Sequence, residues 1–267
     1  MATNSTAQQQ IRFDDGAAYE QMMGIWSRIA GEIFIDWVAP AKGLKWIDVG
    51  CGNGAFTELL VERCAPAEVQ GLDPSDGQLA FARNRHRAEV AEFHQGNAMA
   101  LPFSERSFDA AVMALVIFFV PDPAKGVAEM VRVVRPGGTI SAYAWDIPGG
   151  GLPSEPILSE MRAIGYKTVS PPSAAVSRIE ALHDVWTKAG LEAVETREIT
   201  VQRTFANFDE FWSINLLGPS VSAVVGGMTP ADIERLKAAV RTRLPADSAG
   251  RITYGSRANA VKGRVPK

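Results

Sequence analysis

The stretch DVGCGNG, residues 48–54, follows a short apolar run and precedes a helix-forming segment, and it decides the fold. Its three glycines leave the turn almost without side chains, so the backbone can adopt positive φ values and lie directly against a ligand. In an α/β sheet such a turn lies at the carboxyl end of the first strand, where nucleotide-like cofactors bind. Asp73 ends the next predicted strand, within GLDPS at 71–75, and a carboxylate there can bind two ribose hydroxyls. Together the two segments predict a nucleoside-binding half-domain.

Composition excludes several classes of protein. The chain has 267 residues, 46% of them hydrophobic, which is enough for one large core or for one domain plus a lobe. The 27 basic and 30 acidic residues give a net charge of −3. Non-specific nucleic-acid binding draws on clustered Lys and Arg, so this balance argues against a nucleic-acid partner.

The cysteines and the apolar runs predict a cytoplasmic protein without a membrane span. Cys51 and Cys64 are separated by a predicted helix about 20 Å long, which is far beyond disulfide reach, and unpaired cysteines suit a reducing compartment. The first ten residues, MATNSTAQQQ, lack the apolar core of a signal peptide. The longest apolar run, residues 110–120, is too short to cross a bilayer.

Strand and helix signals alternate through the first part of the chain, which is typical of a parallel sheet covered on both faces. Apolar runs predict strands at 45–49, 68–72, 90–94, 108–114 and 138–145, and the segments between them predict helices at 55–64, 75–86 and 123–134. Ser75 with Gln78 and Ser177 with Glu180 are capping-box patterns, and Asp122 precedes a first-turn proline. RPGG at 135–138 is typical of a helix stop and a turn into the fifth strand.

We interpret the chain as one domain, residues 18–267, after a flexible N-terminus at 1–17. The expected parts are a helical cover at 18–44 (helix 18–38), a cofactor-binding core at 45–145, an irregular substrate loop at 146–175 with a helix near 154–164, and a helical lid insertion at 205–245. Two further strands are expected at 191–204 and 250–263, after a helix that ends at Gly190. Thr229-Pro230 is expected to begin the last helix.

The glycine loop alone leaves two kinds of cofactor open. Gly50-x-Gly52-x-x-Ala55 satisfies the dinucleotide fingerprint, so an NAD-dependent oxidoreductase is a real alternative, and Asp73 would serve its ribose equally well. Asp48 helps to separate the two. A carboxylate at the end of the first strand can face a ligand's ammonium or sulfonium group, whereas it would repel a pyrophosphate.

Four motifs in order resemble those of the class I S-adenosylmethionine-dependent methyltransferases. DVGCGNG is similar to the first motif of that family, GLDPS to the second, and GNAMALPF (96–103) to the third, with Asn97 where Asp is usual. The segment SFDAAVMALVIFFVPDPAKGVAEMVRVVRPGGTISAYAW (107–145) continues the likeness. The resemblance implies an α/β fold, a doubly wound seven-stranded Rossmann-like sheet whose last strand is antiparallel, with an N-terminal helical cover and a helical lid.

The resemblance also implies S-adenosylmethionine as cofactor and S-adenosylhomocysteine as product. In that family the first motif approaches the methionine part, the second holds the ribose and the third contacts the adenine. AYEQMMGIWSR (18–28) resembles the helix that covers the cofactor, although Met23 and Trp26 also fit the core face of an amphipathic helix. The cofactor-binding residues so implied are Tyr19, Met23, Trp26, Asp48, Gly50, Cys51, Gly52, Gly54, Asp73, Pro74, Ser75, Asn97, Ala98 and Leu115.

Within the family the chain looks most like the small-molecule branch that includes ubiquinone/menaquinone-type C-methyltransferases. Nucleic-acid amino-methyltransferases carry Asn/Asp-Pro-Pro-aromatic after the fourth strand, and this chain has the apolar residues 114–118 there. The expected reaction is O- or C-methylation of a small, partly apolar acceptor, mainly by positioning for in-line displacement. A protein that binds the cofactor without catalysis is a further alternative.

No catalytic residue stands out. Tyr143 and Asp146 follow the carboxyl end of the fifth strand, and Asp146 is either a proton acceptor or simply the start of a loop. His183 lies in a predicted helix and is either a general base or a surface residue. Cys, His and carboxylate residues show no metal-ligand spacing, so no metal site is expected.

Acceptor choice is expected to come from the segments that depart from the strand and helix alternation. The 205–245 segment carries a dense set of apolar side chains: Phe205, Phe208, Phe211, Trp212, Leu216 and Leu217. They either seal the lobe onto the sheet, as we expect, or line a pocket for the acceptor. The glycines at 149–151 would allow the neighbouring loop to move as a lid.

Overall fold

A seven-stranded sheet organises the chain. The computed structural model describes residues 20–85 and 90–267, and its strands lie in the order β3-β2-β1-β4-β5-β7-β6. β7 runs antiparallel to both β5 and β6, whereas the strand pairs from β3 to β5 are parallel. This is the doubly wound sheet with an antiparallel last strand that the family resemblance implies. The strands are β1 (Lys45–Val49), β2 (Glu68–Asp73), β3 (Ala91–Gln95), β4 (Phe108–Ala114), β5 (Val134–Trp145), β6 (Glu192–Phe205) and β7 (Ile252–Arg264).

Helices connect and cover the strands. A π-helical turn at Glu20–Gly24 precedes the first helix, and short 3-10 turns lie at Ile117–Phe119 and Ala174–Ser177. The α-helices are α1 (Ile25–Val38), α2 (Ala55–Cys64), α3 (Asp76–Ala82), α4 (Pro123–Val133), α5 (Glu155–Ala163), α6 (Ile179–Lys188), α7 (Phe208–Leu216), α8 (Pro219–Val225) and α9 (Pro230–Arg243). The bounds agree closely with the sequence predictions, except that α3 ends before residue 86.

Side chains cap several helices as their sequence patterns predict. The Ser75 hydroxyl accepts from the backbone N–H of Gln78, and Asp122 accepts from the N–H of Lys125. Thr229 caps α9 by accepting from the N–H of Asp232. Each bond satisfies one of the N–H groups that the first turn of a helix leaves without a partner.

Two local predictions were wrong. Ser177 does not cap α6, because it lies in a 3-10 turn where its hydroxyl donates to the Ala174 carbonyl and accepts from the Ile147 N–H. RPGG is not a turn before β5 but lies inside the strand, at a shift in register with β4. Glycine permits this, because a Cβ on Gly138 would lie 2.6 Å from the Asp109 carbonyl oxygen.

Helices cover both faces of the sheet. On one face, the ring of Tyr143 in β5 lies 4.7 Å from Phe34 of α1 and 5.7 Å from Phe56 of α2. On the other face, the indole N–H of Trp186 in α6 donates to the Ile140 carbonyl over 3.1 Å. Asn259 of β7 donates to the Ser177 carbonyl over 2.8 Å, which fixes the chain just before α6.

The aromatic residues of the 205–245 segment mainly close the core. Phe205 and Phe211 are fully buried and pack against Tyr254, which in turn lies 5.1 Å from Trp26 of α1. Trp212 is buried as well, whereas Leu217 is exposed. These contacts show that the aromatic side chains pack the 205–245 segment onto the sheet, as expected from the sequence.

Cys51 and Cys64 are both buried and form no disulfide, as their spacing predicts. Among the helices within 20–85 and 90–267, none combines the length and the apolar character needed to cross a membrane.

The hydrogen bond of Trp186 gives a stability prediction with a matched control. Trp186→Phe removes a buried N–H···O bond, whereas Trp46→Phe removes a buried indole N–H that has no partner among the described residues. Both changes shrink a fully or nearly fully buried indole to a phenyl ring. We therefore expect urea unfolding to show Trp186→Phe less stable than Trp46→Phe by about 1 kcal/mol. Equal destabilisation of the two variants would contradict this assignment.

Candidate functional site

The glycine loop leaves β1 and presses against the end of β4. The N–H groups of Gly50 and Cys51 both donate to the Leu72 carbonyl of β2, over 2.6 and 3.1 Å. Gly50 has φ +78, and a Cβ on it would lie 2.6 Å from Cγ2 of Val116. Only glycine fits this position, because the backbone conformation and the close approach both exclude a side chain. The loop is thereby fixed at the shared edge of β1, β2 and β4.

Asp73 joins the glycine loop to the loop after β2. Its two carboxylate oxygens accept from the N–H groups of Gly52 (3.0 Å) and Ser75 (2.9 Å). Burial raises the pKa of Asp73, although both backbone hydrogen bonds act in the opposite direction. Above Gly52 the surface is open, since the nearest atom to a Cβ there would be Oε1 of Gln78 at 4.0 Å. A ligand can lie on this open backbone within reach of the Asp73 carboxylate, whose oxygens can each accept a second hydrogen bond.

Asp48 is a fully buried carboxylate beneath the same loop. Its Oδ2 accepts from the Thr57 hydroxyl over 2.7 Å, whereas its Oδ1 has no hydrogen-bond partner among the described residues. Burial raises its pKa to about 7, against the effect of the Thr57 hydrogen bond, and the nearby negative charge of Asp73 adds to the rise. A cationic group of a ligand placed near Asp48 would offset this cost, as the sequence predicts for an ammonium or a sulfonium.

An ion-pair cluster attaches the N-terminal π-helical turn to the glycine loop. The side-chain amide of Asn53 donates to Glu20 over 3.0 Å. Arg85 forms ion pairs with Glu20 and, over 2.8 Å, with Glu58, and it also donates to the Asn53 carbonyl over 2.6 Å. The sequence pattern did not single out this cluster, because its members come from separate segments with no shared spacing. These contacts hold the beginning of the N-terminal cover against the glycine loop.

Residues of the expected cofactor set lie at this same edge of the sheet. Met23 and Trp26 are buried side chains of the cover itself, and the Trp26 ring packs against Tyr254. Cys51 is buried in the loop, where desolvation raises the pKa of its thiol. Gly54 begins α2 at φ +79 and packs against Ala82 of α3. Tyr19 lies outside the described residues.

The third motif reaches this edge from the end of β3. Asn97 is exposed, and its side-chain oxygen accepts from the Met99 N–H over 2.9 Å, while Ala98 beside it is half-buried. The Gly96 N–H donates to the Asp73 carbonyl over 3.1 Å, and Gln95 donates to the Pro74 carbonyl over 3.2 Å. The loops after β2 and β3 are thus joined, and their exposed polar groups face the same opening.

Leu115 directly follows β4 and has an unusual backbone conformation. Its φ is +62, which non-glycine residues seldom adopt, and it is held there by an N–H···O bond of 2.8 Å to the Tyr143 carbonyl of β5. Such a conformation is unfavourable and persists only where the surrounding structure enforces it, often at functional sites. The side chain is 5% exposed and lines a pocket.

This pocket lies beside the glycine loop, over the ends of β4 and β5. Its volume is about 600 Å³ with its opening to solvent counted. Apart from two serines, every lining side chain is apolar. The lining residues are Met22, Met23, Leu115, Phe118, Phe119, Trp145, Ile147, Leu152, Ser154, Leu158, Val169, Pro171 and Ser220. Of these, the sequence analysis named only Met23 and Leu115 as site residues, but six others lie in the expected substrate loop at 146–175 and Ser220 lies in the expected lid at 205–245. Phe118 and Phe119 belong to the apolar run after β4.

The three weak catalytic candidates do not come together. The Tyr143 hydroxyl donates to the Ser27 carbonyl (3.4 Å) within the packing of α1 on the sheet. His183 is exposed on α6, on the opposite face of the sheet. Asp146 is buried, pairs with Arg257 over 2.6 Å and accepts from the Gly149 N–H over 3.1 Å, which fixes the start of the loop.

The glycines at 149–151 pack closely. A Cβ on Gly149 would lie 2.5 Å from Nη2 of Arg257, and a Cβ on Gly151 would press against the Arg257 carbonyl. Close packing, rather than freedom to move as a lid, therefore requires glycine at these two positions. No group of three or more His, Cys, Asp or Glu side chains within the described ranges could hold a metal ion.

The raised pKa of Asp48 predicts how stability depends on pH. Between its ordinary pKa of 3.8 and about 7, the folded chain keeps a proton on Asp48 that the unfolded chain has lost. Raising the pH across this range therefore lowers the free energy of unfolding, by up to about 4 kcal/mol from this group. Asp48→Asn, which keeps an oxygen for Thr57, should gain stability relative to the wild type between pH 5 and pH 8. Urea unfolding at both pH values measures this difference, and parallel pH profiles of the two proteins would contradict it.

Comparison with known proteins gives a matching domain and a shared fold. Residues 47–142 match the family described as Methyltransferase domain. The demethylmenaquinone methyltransferase of Renibacterium salmoninarum is 32% identical over 161 residues, which are 59% of this chain and 65% of that protein. The fatty-acid O-methyltransferase of Mycolicibacterium smegmatis is 31% identical over 153 residues, 55% of this chain and 56% of that protein. The chain thus spans less than two thirds of the length of these curated relatives.

Solved structures share the fold at low sequence identity. The YcgJ protein from Bacillus subtilis superimposes with a TM-score of 0.58 at 15% identity, covering 89% of this chain and 98% of that chain. Phosphoethanolamine N-methyltransferase 2 from Haemonchus contortus, in complex with S-adenosyl-L-methionine, gives a TM-score of 0.57 at 18% identity and covers 94% of this chain and 56% of that chain. By the family match and the relatives, residues 47–142 form a methyltransferase domain, and the chain as a whole shares the fold of solved methyltransferase structures.

Proposed function

We propose that this protein transfers a methyl group from S-adenosylmethionine to an oxygen or carbon atom of a small, partly apolar acceptor. The main observation in support of the proposal is that the glycine loop and the apolar pocket adjoin each other. The open glycine loop, with Asp73 beside it, lies directly against the end of β4, and the apolar pocket begins there at Leu115. A ligand on the loop and a ligand in the pocket would therefore lie next to each other.

The cofactor fits the groups present on the first of these sites. Asp73 would hold the ribose hydroxyls, and the backbone around Gly50 and Gly52 would support the methionine part, with the unpartnered oxygen of Asp48 beneath it. The remaining proposed cofactor-binding residues would surround the adenine, the ribose and the side of the cofactor that faces the N-terminal cover. They are Tyr19, Met23, Trp26, Cys51, Gly54, Pro74, Ser75, Asn97, Ala98 and Leu115.

When bound, S-adenosylmethionine supplies an electrophilic methyl group, whose bond to sulfur breaks with its electron pair left on sulfur as the acceptor atom attacks. The residues of this chain contribute alignment and exclusion of water. The lining side chains of the described pocket include no His, Asp, Glu, Lys or Tyr, so they offer no general base. This favours an acceptor that ionises readily, such as a phenol or an enol, and whose proton passes to water.

The relatives support this class of acceptor. The names of two of them specify demethylmenaquinone and a fatty acid, and both molecules are largely hydrocarbon and carry oxygen. The apolar lining of the pocket suits such molecules. An NAD-dependent oxidoreductase is disfavoured by the antiparallel β7 and by the buried carboxylate of Asp48, which would repel a pyrophosphate. Turnover of any acceptor would exclude a protein that only binds the cofactor.

A cytoplasmic location and the lack of a nucleic-acid partner stay predictions from the sequence. The balanced charge of the chain and its two buried cysteines support them.

Calorimetric titration with S-adenosylhomocysteine, S-adenosylmethionine and NADH tests the proposed cofactor. We expect micromolar binding of both adenosyl compounds and none of NADH. Asp73→Ala should weaken binding about 100-fold, because it removes two charge-assisted hydrogen bonds to the ribose and loosens the Gly52 contact.

Asp76→Ala is the matched control, since it removes an exposed carboxylate three residues further along. This variant should bind like the wild type, and circular dichroism should show both variants folded. Binding of NADH alone, or an equal loss in the two variants, would contradict the proposal.

A further inference from the structure

The acceptor pocket contains a buried hydrogen-bond donor that the protein does not use. Trp145 lines the pocket and is 1% exposed, and its indole N–H has no hydrogen-bond partner among the described residues. Buried polar groups are nearly always hydrogen-bonded, and one left without a partner is costly. Its nitrogen is covered by neighbouring atoms, so a ligand that displaces the lining side chains around Trp145 can supply the missing partner.

The backbone of Trp145 is held rigidly at the place where the two proposed ligands meet. Trp145 is the last residue of β5 and pairs with Ala258 of β7 in the antiparallel ladder. Two residues earlier, the Tyr143 carbonyl accepts from the N–H of Leu115, the residue that follows β4. The indole of Trp145 thus lies on β5, the neighbour of β4, and the glycine loop meets the pocket at the end of β4.

The chemistry of the donor restricts what it can bind. An indole N–H donates and cannot accept, so its partner must be an oxygen or nitrogen with a free lone pair. An ammonium group carries only donors and would lose its hydration in this apolar pocket without compensation. The hydroxyls of Ser154 and Ser220 are the other polar side-chain groups of the described lining.

An unpartnered indole alone does not indicate a ligand. Trp46 is buried to a similar extent and its N–H also has no partner among the described residues, but it does not line the pocket. The combination of an unused donor with a lining position is what distinguishes Trp145. Trp46 therefore provides a matched control.

We infer that Trp145 determines acceptor specificity by donating its indole hydrogen bond to an oxygen of the acceptor. The acceptor class that follows is an apolar molecule with a carbonyl or phenol-type oxygen, and amines are excluded. This inference rests on the proposed function in one respect: it takes the ligand of the pocket to be the acceptor of the methyl group.

The neutral ketone 2-octanone, which has an acceptor oxygen and no donor, is a suitable probe. In ¹H–¹⁵N spectra of the full chain, the indole signal missing from Trp145→Phe identifies Trp145. We expect 2-octanone to move this signal downfield and octylammonium to leave it unmoved. Trp145→Phe should bind 2-octanone about 5- to 10-fold more weakly than the wild type, whereas Trp46→Phe should bind it equally well.

Several results would overturn the inference: no binding of 2-octanone, binding that leaves the Trp145 signal unmoved, equal affinity in Trp145→Phe, or octylammonium bound as tightly as the ketone. Triple-resonance spectra of the wild type assign the Trp145 indole signal independently of the variant, so a misfolded Trp145→Phe would not weaken the test. Titration with S-adenosylhomocysteine separates the two proposals. Cofactor binding without a ketone response refutes only the role of Trp145, and a ketone response without cofactor binding refutes only the methyl transfer.

Discussion

The close approach of the glycine loop to the end of β4 is the constraint on which the rest of the site depends. Gly50 has no side chain, so Val116 can lie where a Cβ would otherwise be. A larger residue would force the loop away from β4 and separate the cofactor surface from the pocket. The unfavourable φ of Leu115 lies one residue before Val116, so backbone strain and close packing occur together at this junction.

A buried and a half-buried carboxylate support the functional interpretation. Desolvation raises the pKa values of both Asp48 and Asp73, and neither forms an ion pair with a residue that the structure describes. Proteins tolerate such groups mainly where a ligand or a reaction needs them. Both acids lie beneath or beside the open backbone of the glycine loop, which is where a cationic nucleoside would benefit from them.

The parallel strands could be predicted from the sequence because they coincide with short apolar runs, whereas β6 and β7 could be predicted from the alternating character of residues 191–204 and 250–263. The antiparallel last strand followed from the resemblance, and the cofactor edge followed from motifs whose residues are contiguous. The pocket could not be predicted in the same way. Met22, Ile147 and Ser220 come from three segments (the cover, the substrate loop and the lid) without common periodicity, and only tertiary structure brings them together.

Local patterns also failed where tertiary contacts compete for the same group. Ser177 has the spacing of a helix cap, but its hydroxyl is taken by the Ala174 carbonyl and the Ile147 N–H. Asp146 has the position of a catalytic acid or base, but its carboxylate is paired with Arg257, more than one hundred residues along the chain. Sequence shows which groups are available, and the packing decides which of them are already used.

A crystal structure of the protein with S-adenosylhomocysteine would test the central claim most directly. We expect the ribose hydroxyls to lie within hydrogen-bond distance of Asp73 and the sulfur atom to face Leu115 and the opening of the apolar pocket. A nucleoside bound away from the glycine loop would contradict the proposed cofactor site. A sulfur atom turned away from the pocket would contradict it equally, because the methyl group could then not reach an acceptor held there.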